Sequence, residues 1–343
     1  RSRTRARASV LRLLMAVCAG LIAAPATAQN FSYYQGLEPR GNEALVSDGP
    51  EMLGHRVNLY TGALEFVHTD VDLPGNSKLK VAFTRSNKGR GGDWRVDSPR
   101  MAGKFASSTG WVNISGTTSR CSSYSSPPPI GFVNPFEYWQ GTHIYLPGEG
   151  PQEVLTRGVN NGTAPSDGYS YPLVTRDHWQ IRCLPKIQNG SGEGFVARSP
   201  SGEEYRFDWM AKGSGRAIKN QSTTVISLVH NLMATQVTDR FGNWVRYAYD
   251  PANPTRLTSI TANDGRAITI TYLNGNVGTA SDGTRAWTYN HDTTGVLNSV
   301  VLPDGSRWEF NLAGFRPTNP FELGEGAYCD GPGTYPDSTY TGA

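Results

Sequence analysis

One phrase recurs through the second half of this 343-residue chain: a short strand-like run, a turn that ends in Gly, and a second run. The copies align on Gly202, Gly242, Gly265, Gly283 and Gly305, and the last four are separated by 23, 18 and 22 residues. An acid directly precedes three of these glycines: Asp264, Asp282 and Asp304. Because Gly tolerates a positive φ and Asp tolerates the left-handed conformation, each copy is predicted to be a tight β-hairpin.

Aromatic or β-branched residues follow each turn at a spacing of two. The pairs are Tyr205 and Phe207, Tyr247 and Tyr249, Ile270 and Tyr272, Trp287 and Tyr289, and Trp308 and Phe310. This spacing places each pair on one face of a strand. A unit of about twenty residues cannot bury such a face alone, so the units are expected to stack side by side into a strip. A propeller is the rival architecture, since two units together reach the length of about 40 residues that a blade needs.

The rest of the chain carries the same period. Residues 56–85 alternate apolar and polar side chains between turns at Thr61-Gly62 and Pro74-Gly75. No long helical pattern of apolar residues follows residue 30, and 39 glycines and 22 prolines suit many short strands. The predicted fold is therefore all-β, an antiparallel meander of short strands that continues into the repeat strip.

Residues 1–28 are predicted to be a secretory signal peptide, cleaved after Ala28. Five arginines precede twelve apolar residues and the small residues Ala26 and Ala28. The apolar run of twelve is too short to cross roughly 30 Å of hydrocarbon as a helix. The protein is thus expected to be exported to the periplasm, the cell surface or the exterior, with no membrane span after cleavage. A β-rich region is predicted for 29–225, repeats for 226–312, and an irregular, truncated tail for 313–343.

Charge and cysteines limit the partners. Residues 1–28 contain five arginines and no acidic residue. The rest of the chain has 27 basic and 29 acidic residues, so its charge does not point to nucleic acid as a partner. No cofactor is expected, and the cysteines form no C-x-x-C pair that would indicate zinc. Cys121 and Cys183 are the natural disulfide pair in an exported protein, and three buried free thiols are the alternative.

No catalytic motif is present, and the chain is predicted not to be an enzyme. The six histidines are scattered singly. His68 and Asp70 share one strand face, where a polar cross-strand position is favoured over an acid–base or metal site. Asp264, Asp282 and Asp304 offer carboxylates for a glycosidase pair. Their repeated place before Gly is explained by turn chemistry, which is the preferred interpretation.

The aromatic residues have two interpretations. The repeat aromatics Tyr247, Tyr249, Tyr272, Trp287, Tyr289, Trp308 and Phe310 either pack the strip or form a platform for sugar rings, and packing is favoured because they recur with the strands. The segment "NPFEYWQGTHIY" is predicted to be the most exposed aromatic group. Its residues Phe136, Tyr138, Trp139 and Tyr145 are the candidates for contact with a cell-surface glycan or a partner.

Three stretches resemble the YD repeats of the Rhs family: "DRFGNWVRYAYD", "TRLTSITANDGRAITITY" and "GVLNSVVLPDGSRWEF". Tyr249-Asp250 is the clearest match, and Gly295-Val296-Leu297 matches the linking step between repeats. The upstream stretch "VNLYTGALEFVHTDVDLPG" is also similar to the family. The repeat resemblance covers residues 226–312, and several units in register are more specific than any single one.

The resemblance implies a β-strip that winds into a hollow shell, often around a toxic C-terminal domain of the same chain, or a protein of the bacterial surface. This sequence departs from the family in having few repeats, no self-cleavage core, no toxin domain and a signal peptide. Three hypotheses follow: a non-enzymatic exported shell or surface scaffold within a longer toxin-like chain, a carbohydrate-binding or adhesive surface protein, and a cell-wall glycosidase.

Overall fold

A computed structural model describes residues 55–57, 64–87, 94–147, 150–158, 164–220 and 223–311. The predicted signal peptide and tail lie outside these residues, as does Cys329. Within them the regular structure is twenty β-strands and one short 3-10 turn at Pro135–Glu137, with no α-helix. The all-β prediction is confirmed. No helix in this part of the chain has the length and apolar character needed to cross a membrane.

Four strands form a small antiparallel sheet: β1 (His55–Val57), β2 (Leu64–Leu73), β3 (Val81–Asn87) and β4 (Arg95–Asp97). The remaining strands form one large sheet. Its first part comprises β5 (Arg100–Ala106), β6 (Thr142–Tyr145), β7 (Gln152–Glu153), β8 (Leu155–Thr156), β9 (Leu173–Val174), β10 (Gln180–Leu184), β11 (Gly194–Arg198), β12 (Glu204–Asn220) and β13 (Thr223–Thr238). The repeats supply β14 (Trp244–Tyr249), β15 (Leu257–Ala262), β16 (Ala267–Leu273), β17 (Asn276–Ser281), β18 (Ala286–His291), β19 (Leu297–Val301) and β20 (Arg307–Glu309).

The large sheet is a continuous antiparallel meander from β8 to β20, in which each strand pairs with its sequence neighbours. The sheet branches at β13, which pairs with β12 on one side and with both β5 and β14 on the other. Strand β5 continues the branch through β6 to β7. The boundary predicted between residues 225 and 226 falls inside β13, so the repeats extend a sheet that the preceding region has already begun.

Bulges recur in the repeat strands. The pairing of β14, β16 and β18 with the next strand shifts register at Ala248/Tyr249, Thr271/Tyr272 and Asn290/His291. A bulge bends its strand and increases the local twist. The bulge recurs in every second strand from β14 to β18, near the C-terminal end of each.

Two main apolar cores flank the large sheet. One lies between the small sheet and strands β13–β19, with Val71, Val81 and Phe83 on one side and Ile260, Ile268, Trp287 and Val300 on the other. The second lies between β10–β13 and β5–β6, around Met101, Phe105, Ile144, Ile181, Phe195, Phe207 and Leu232. The strip thus has a buried face, and the segment upstream of the repeats covers it.

Candidate functional site: the covered face of the repeat strip

The repeat turns at Gly242, Gly265 and Gly305 share one geometry. Gly265 N donates to Ala262 O at 3.2 Å, and Ala262 N donates to Arg266 O at 2.9 Å. The glycines have φ values of +87°, +90° and +84°. These are three-residue hairpin loops, in which a type I turn is followed by a left-handed residue. The recurring Gly is therefore a requirement of the backbone.

The acidic residues of the turns hold the turn backbone. Asp264, Asp282 and Asp304 accept hydrogen bonds from the N–H groups two residues ahead, at 3.3, 3.0 and 2.9 Å. Hydrogen bonds from Arg266, Arg285 and Ser306 lower the pKa of the three carboxyl groups, that of Asp282 to about 2. Each carboxylate is thus engaged within its own turn and remains ionised at neutral pH.

Replacement of Gly265 by Val is expected to lower the free energy of unfolding by about 1–3 kcal/mol, because a β-branched residue is strained at positive φ. A Cβ at this position meets no atom within 4 Å, so the expected cost arises from the backbone alone. The matched control is Gly265→Asn, since Asn tolerates the left-handed conformation. Urea unfolding of both variants checks the prediction. Equal losses in the two variants would contradict a backbone origin.

The repeat aromatics occupy different environments on the strip. Tyr249, Trp287 and Tyr289 are buried in the core beneath the small sheet, while Tyr247, Tyr272 and Phe310 pack partly buried against the same core. Trp308 remains 38% exposed. The hydroxyl groups of Tyr249 and Tyr272 donate to Ala234 O and Leu257 O at 2.9 and 3.1 Å. The buried rings are packed inside the protein and do not present a platform to a sugar.

A polar cluster centred on Asp70 lies within this covered face. The Asp70 carboxylate is 2% exposed and accepts hydrogen bonds from Arg85 Nε at 2.7 Å and from the Tyr289 hydroxyl at 2.8 Å. His68 Nε2 lies 3.5 Å from the other carboxylate oxygen. The cluster joins the small sheet to repeat strand β18, across 219 residues of sequence between Asp70 and Tyr289.

Aromatic rings surround the charged groups of this cluster. The Arg85 guanidinium lies 4.2 Å from the ring centre of Trp94 and 4.9 Å from that of Phe310. His68 makes an edge contact with Trp308. Burial is the main cause of the lowered pKa of His68. Among the described residues no three His, Cys, Asp or Glu side chains are placed to share a metal ion. The arrangement is a buried ion pair that is surrounded by aromatic rings and anchors the small sheet to β18.

A second polar contact fixes the other end of the small sheet. Asp264 holds the Arg266 guanidinium at 2.8 Å, and Arg266 Nη1 donates to Leu73 O at 2.8 Å and to Leu79 O at 3.3 Å. The guanidinium lies over Gly75, where an added Cβ would approach Arg266 Cζ to 2.2 Å. Pro74-Gly75 therefore both turns the chain and provides the space in which Arg266 sits.

No pattern in the sequence indicated a buried arginine in the second core. Arg120 is fully buried, and its guanidinium lies 4.8–5.9 Å from the ring centres of Phe105, Trp111, Tyr124 and Trp139. Its Nη1 donates to Ser125 O at 2.6 Å. Burial lowers the pKa of Arg120 to about 10, so the group stays charged at neutral pH.

His230 is buried beside this guanidinium, against the rings of Phe105 and Trp111. Burial lowers its pKa from 6.5 to about 4, and the charges of Lys212 and Arg120 add to the effect. The folded protein therefore binds fewer protons at this site than the unfolded chain between those two pH values. Stability from this residue is complete above pH 6.5 and falls as the pH drops towards 4.

Acidification from pH 6.5 to 4 is accordingly expected to cost about 3 kcal/mol at His230. A His230→Phe variant removes the titrating group and is expected to show a flatter dependence of Tm on pH across this range. His178→Asn is the control, because His178 is exposed and its φ of +64° suits Asn. Melting curves between pH 4 and 7 provide the measurement. The same slope for wild type and His230→Phe would refute the assignment.

The loop that carries Arg120 is tied to the large sheet by a disulfide between Cys121 and Cys183, whose Cα atoms are 5.4 Å apart. Glu193 supports the same loop, since its Oε2 accepts from Cys121 N and Ser122 N, both at 2.8 Å. The disulfide and these bonds hold a segment of little regular structure against the second core.

The segment 134–145 is less exposed than its sequence indicates. Phe136 is 75% exposed, but Tyr138 is 2% exposed and its hydroxyl donates to Pro128 O at 3.1 Å. Trp139 packs between the cores, and Tyr145 lies under the Arg100 guanidinium. The prediction of an exposed group is thus wrong for Tyr138. No pattern in residues 134–145 indicated that this ring turns inwards.

Comparison with known proteins yields no matching protein family and no matching curated protein. A TcdB2-TccC3 crystal structure is similar over 77% of this chain, with 9% identity and a TM-score of 0.35. A TcdB2-TccC3-Cdc42 structure covers 72%, with 10% identity and a TM-score of 0.22, and the Photorhabdus luminescens Tc holotoxin pore covers 70%, with 9% and 0.21. This chain spans 16%, 12% and 12% of those chains. At TM-scores below 0.5 the matches establish neither a family nor a function.

Proposed function

We propose that this chain is a non-enzymatic, exported structural protein whose β-strip forms part of a wall, either an encapsulating shell or a cell-surface scaffold, within a longer toxin-related chain. The main support is the continuous sheet from β8 to β20, in which every repeat strand pairs with its neighbours and a bulge recurs in β14, β16 and β18. Such a sheet grows by adding units along one direction.

The polar contacts of the covered face also support a structural role. Asp70, Arg85 and Tyr289 are directed towards one another and join two sheets. Asp264 orients Arg266 against the small sheet. These carboxylates thus have structural partners that account for their positions without a substrate.

Protease protection of the full-length gene product separates the two forms of the proposal. A shell is expected to shield the segment it encloses, whereas a surface scaffold leaves flanking segments open to cleavage. Ile268→Asp places a charge in the core of the strip, and the matched Thr269→Asp places it on the exposed face of the same strand. Protection is expected to persist in Thr269→Asp and to be lost in Ile268→Asp.

A hydrolysis assay of the same protein on peptidoglycan and common polysaccharides tests the non-enzymatic part of the proposal. No turnover is expected. Hydrolysis by the wild type that disappears in a well-folded Asp304→Asn variant would overturn the proposal in favour of a glycosidase.

Export gives a further expected result. Mass spectrometry of the secreted protein is expected to find Gln29 at or near the N-terminus, because the basic stretch, apolar run and A-x-A pattern precede it. Retention of residues 1–28 on the exported protein would contradict cleavage at Ala28.

A further inference from the structure

Arg120 places a positive charge inside the second core. Its Nη1 donates to Ser125 O at 2.6 Å and to Val112 O at 3.4 Å, and both acceptors are neutral carbonyl groups. Its Nε and Nη2 are buried, and neither has a hydrogen-bond partner among the described residues. In the part of the chain that the structure describes, no carboxylate therefore bonds to this guanidinium.

The side chains around Arg120 supply no negative charge at neutral pH. His230 is uncharged there, because its pKa is lowered to about 4, and burial raises the pKa of Tyr124 above its ordinary value. Glu193, the acid that supports the loop of Arg120, is bonded through both carboxylate oxygens to residues 121 and 122. A buried charge without a partner is strongly unfavourable, so a counter-charge is expected from outside the chain.

Two indole N–H groups beside Arg120 also lack acceptors. Nε1 of Trp111 and Nε1 of Trp139 are buried and have no hydrogen-bond partner among the described residues. The ring centres lie 5.5 and 5.9 Å from Arg120 Cζ, so these donors belong to the same part of the second core. Guanidinium and indole nitrogens only donate hydrogen bonds. The group that satisfies them must be an acceptor.

Arg85 shows how this protein satisfies a buried guanidinium beside aromatic rings. Arg85 Cζ lies 4.2 Å from the ring centre of Trp94 and 4.9 Å from that of Phe310, and Nε still donates to the Asp70 carboxylate at 2.7 Å. The ring centres around Arg120 are 4.8 Å away or further. Aromatic contact alone thus does not replace the counter-charge, and an anion at Arg120 Nε would act as Asp70 does at Arg85.

Charge and burial identify the kind of anion. A single positive charge is matched by a monovalent anion. A phosphate or carboxylate attached to a larger molecule would bring the rest of that molecule into a close-packed core around a fully buried side chain. A water molecule would accept from two of the donors, but its own two O–H groups would then need acceptors. A small inorganic anion meets all of these conditions.

We propose that the second core binds one chloride ion, held by Arg120 Nε and Nη2 with the indole N–H groups of Trp111 and Trp139 as further donors. The ion neutralises the guanidinium and so helps to hold the disulfide-linked loop of Arg120 against the sheet. The site lies between β10–β13 and β5–β6, outside the repeat strip, and does not rest on the proposed wall function. Failure of either proposal would leave the other standing.

Bromide locates the ion directly, because it substitutes for chloride and scatters X-rays anomalously at its absorption edge. The exported protein is unfolded and refolded in sodium bromide with its disulfide intact, so that a buried site can exchange, and is then crystallised. An anomalous peak within hydrogen-bond range of Arg120 Nε or Nη2 is expected. The proposal is overturned if this position holds water, if it shows no density, or if bromide lies on the surface as an adventitious ion only.

The melting temperature gives an independent readout in solution. Replacement of gluconate by chloride at constant ionic strength is expected to raise Tm, since a ligand that binds only the folded protein stabilises it by mass action. Trp111→Phe keeps a ring but removes the N–H donor, and it is expected to raise the Kd of chloride about tenfold. Arg120→Met is expected to abolish the chloride dependence.

The matched control is Trp209→Phe, because Trp209 Nε1 already has an acceptor in Pro254 O at 3.0 Å. This variant is expected to keep the chloride dependence of the wild type. The pair Trp111→Phe and Trp209→Phe decides the question even if Arg120→Met does not fold. A wild-type Tm that does not change with chloride, or equal chloride dependence in the two tryptophan variants, would refute the site.

Discussion

Replacement of Asp70 by Asn is expected to lower the free energy of unfolding by about 3–5 kcal/mol, the cost of removing one partner from a buried ion pair. The Arg85 guanidinium would remain buried between two aromatic rings without its counter-charge. The Tyr289 hydroxyl group would lose its acceptor, or it would donate to the neutral amide oxygen, which is a weaker acceptor than the carboxylate. The damage is expected at the contact between the small sheet and β18.

Asp72→Asn is the matched control for this prediction, because Asp72 lies on the same strand and is exposed. Surface substitutions of this kind usually change stability by less than about 0.5 kcal/mol. Guanidinium unfolding followed by tryptophan fluorescence compares the variants, since Trp308 contacts His68 at the cluster. Similar midpoints for Asp70→Asn and Asp72→Asn would show that the ion pair does not anchor the small sheet.

Loss of the Cys121–Cys183 disulfide is expected to cost about 4 kcal/mol, the chain-entropy value for a closed loop spanning a sequence separation of 62 residues. The loop beside Cys121 has little regular structure, and it carries the buried Arg120. Release of the loop therefore exposes the aromatic rings of the second core to water as well as freeing the chain.

A Cys121→Ser, Cys183→Ser double variant tests this expectation by urea unfolding with and without a reducing agent. The wild type is expected to lose stability under reduction until it matches the double variant. The double variant itself is expected to be insensitive to the reducing agent. A double variant as stable as the oxidised wild type would contradict a stabilising role.

The two stabilising contacts of the covered face explain why a strip of only a few repeats has a closed core. The repeats present one apolar face, and β2 and β3 cover it with Val71, Val81 and Phe83. Asp70 and Arg266 then fix the position of the cover at two separate places. The small sheet consequently shares one apolar core with the repeat strip and, among the described residues, does not form a core of its own.

Strand content and hairpin turns were predictable because their causes are local. Alternation of side chains with period two gives strands, and Gly265 and Gly305 occupy backbone conformations that other residues reach only with strain. The sequence did not determine the length of the hairpin loop, because Asp-Gly occurs in both two-residue and three-residue loops. The pairing of Cys121 with Cys183 was one of two alternatives, because spacing alone gives no connectivity.

The sequence by itself determined that the repeats form strands with an aromatic face, because the period of a strand assigns each side chain to one of two faces. The continuous meander, rather than the blades of a propeller, was decided by the strand pairing. Only the tertiary structure decided what lies over that face. Asp70 meets Tyr289, Arg266 sits above Gly75, and Tyr138 turns inwards, all through contacts that no local pattern encodes. Such contacts depend on which strands the folded chain brings together, and that is set by the packing of the two sheets.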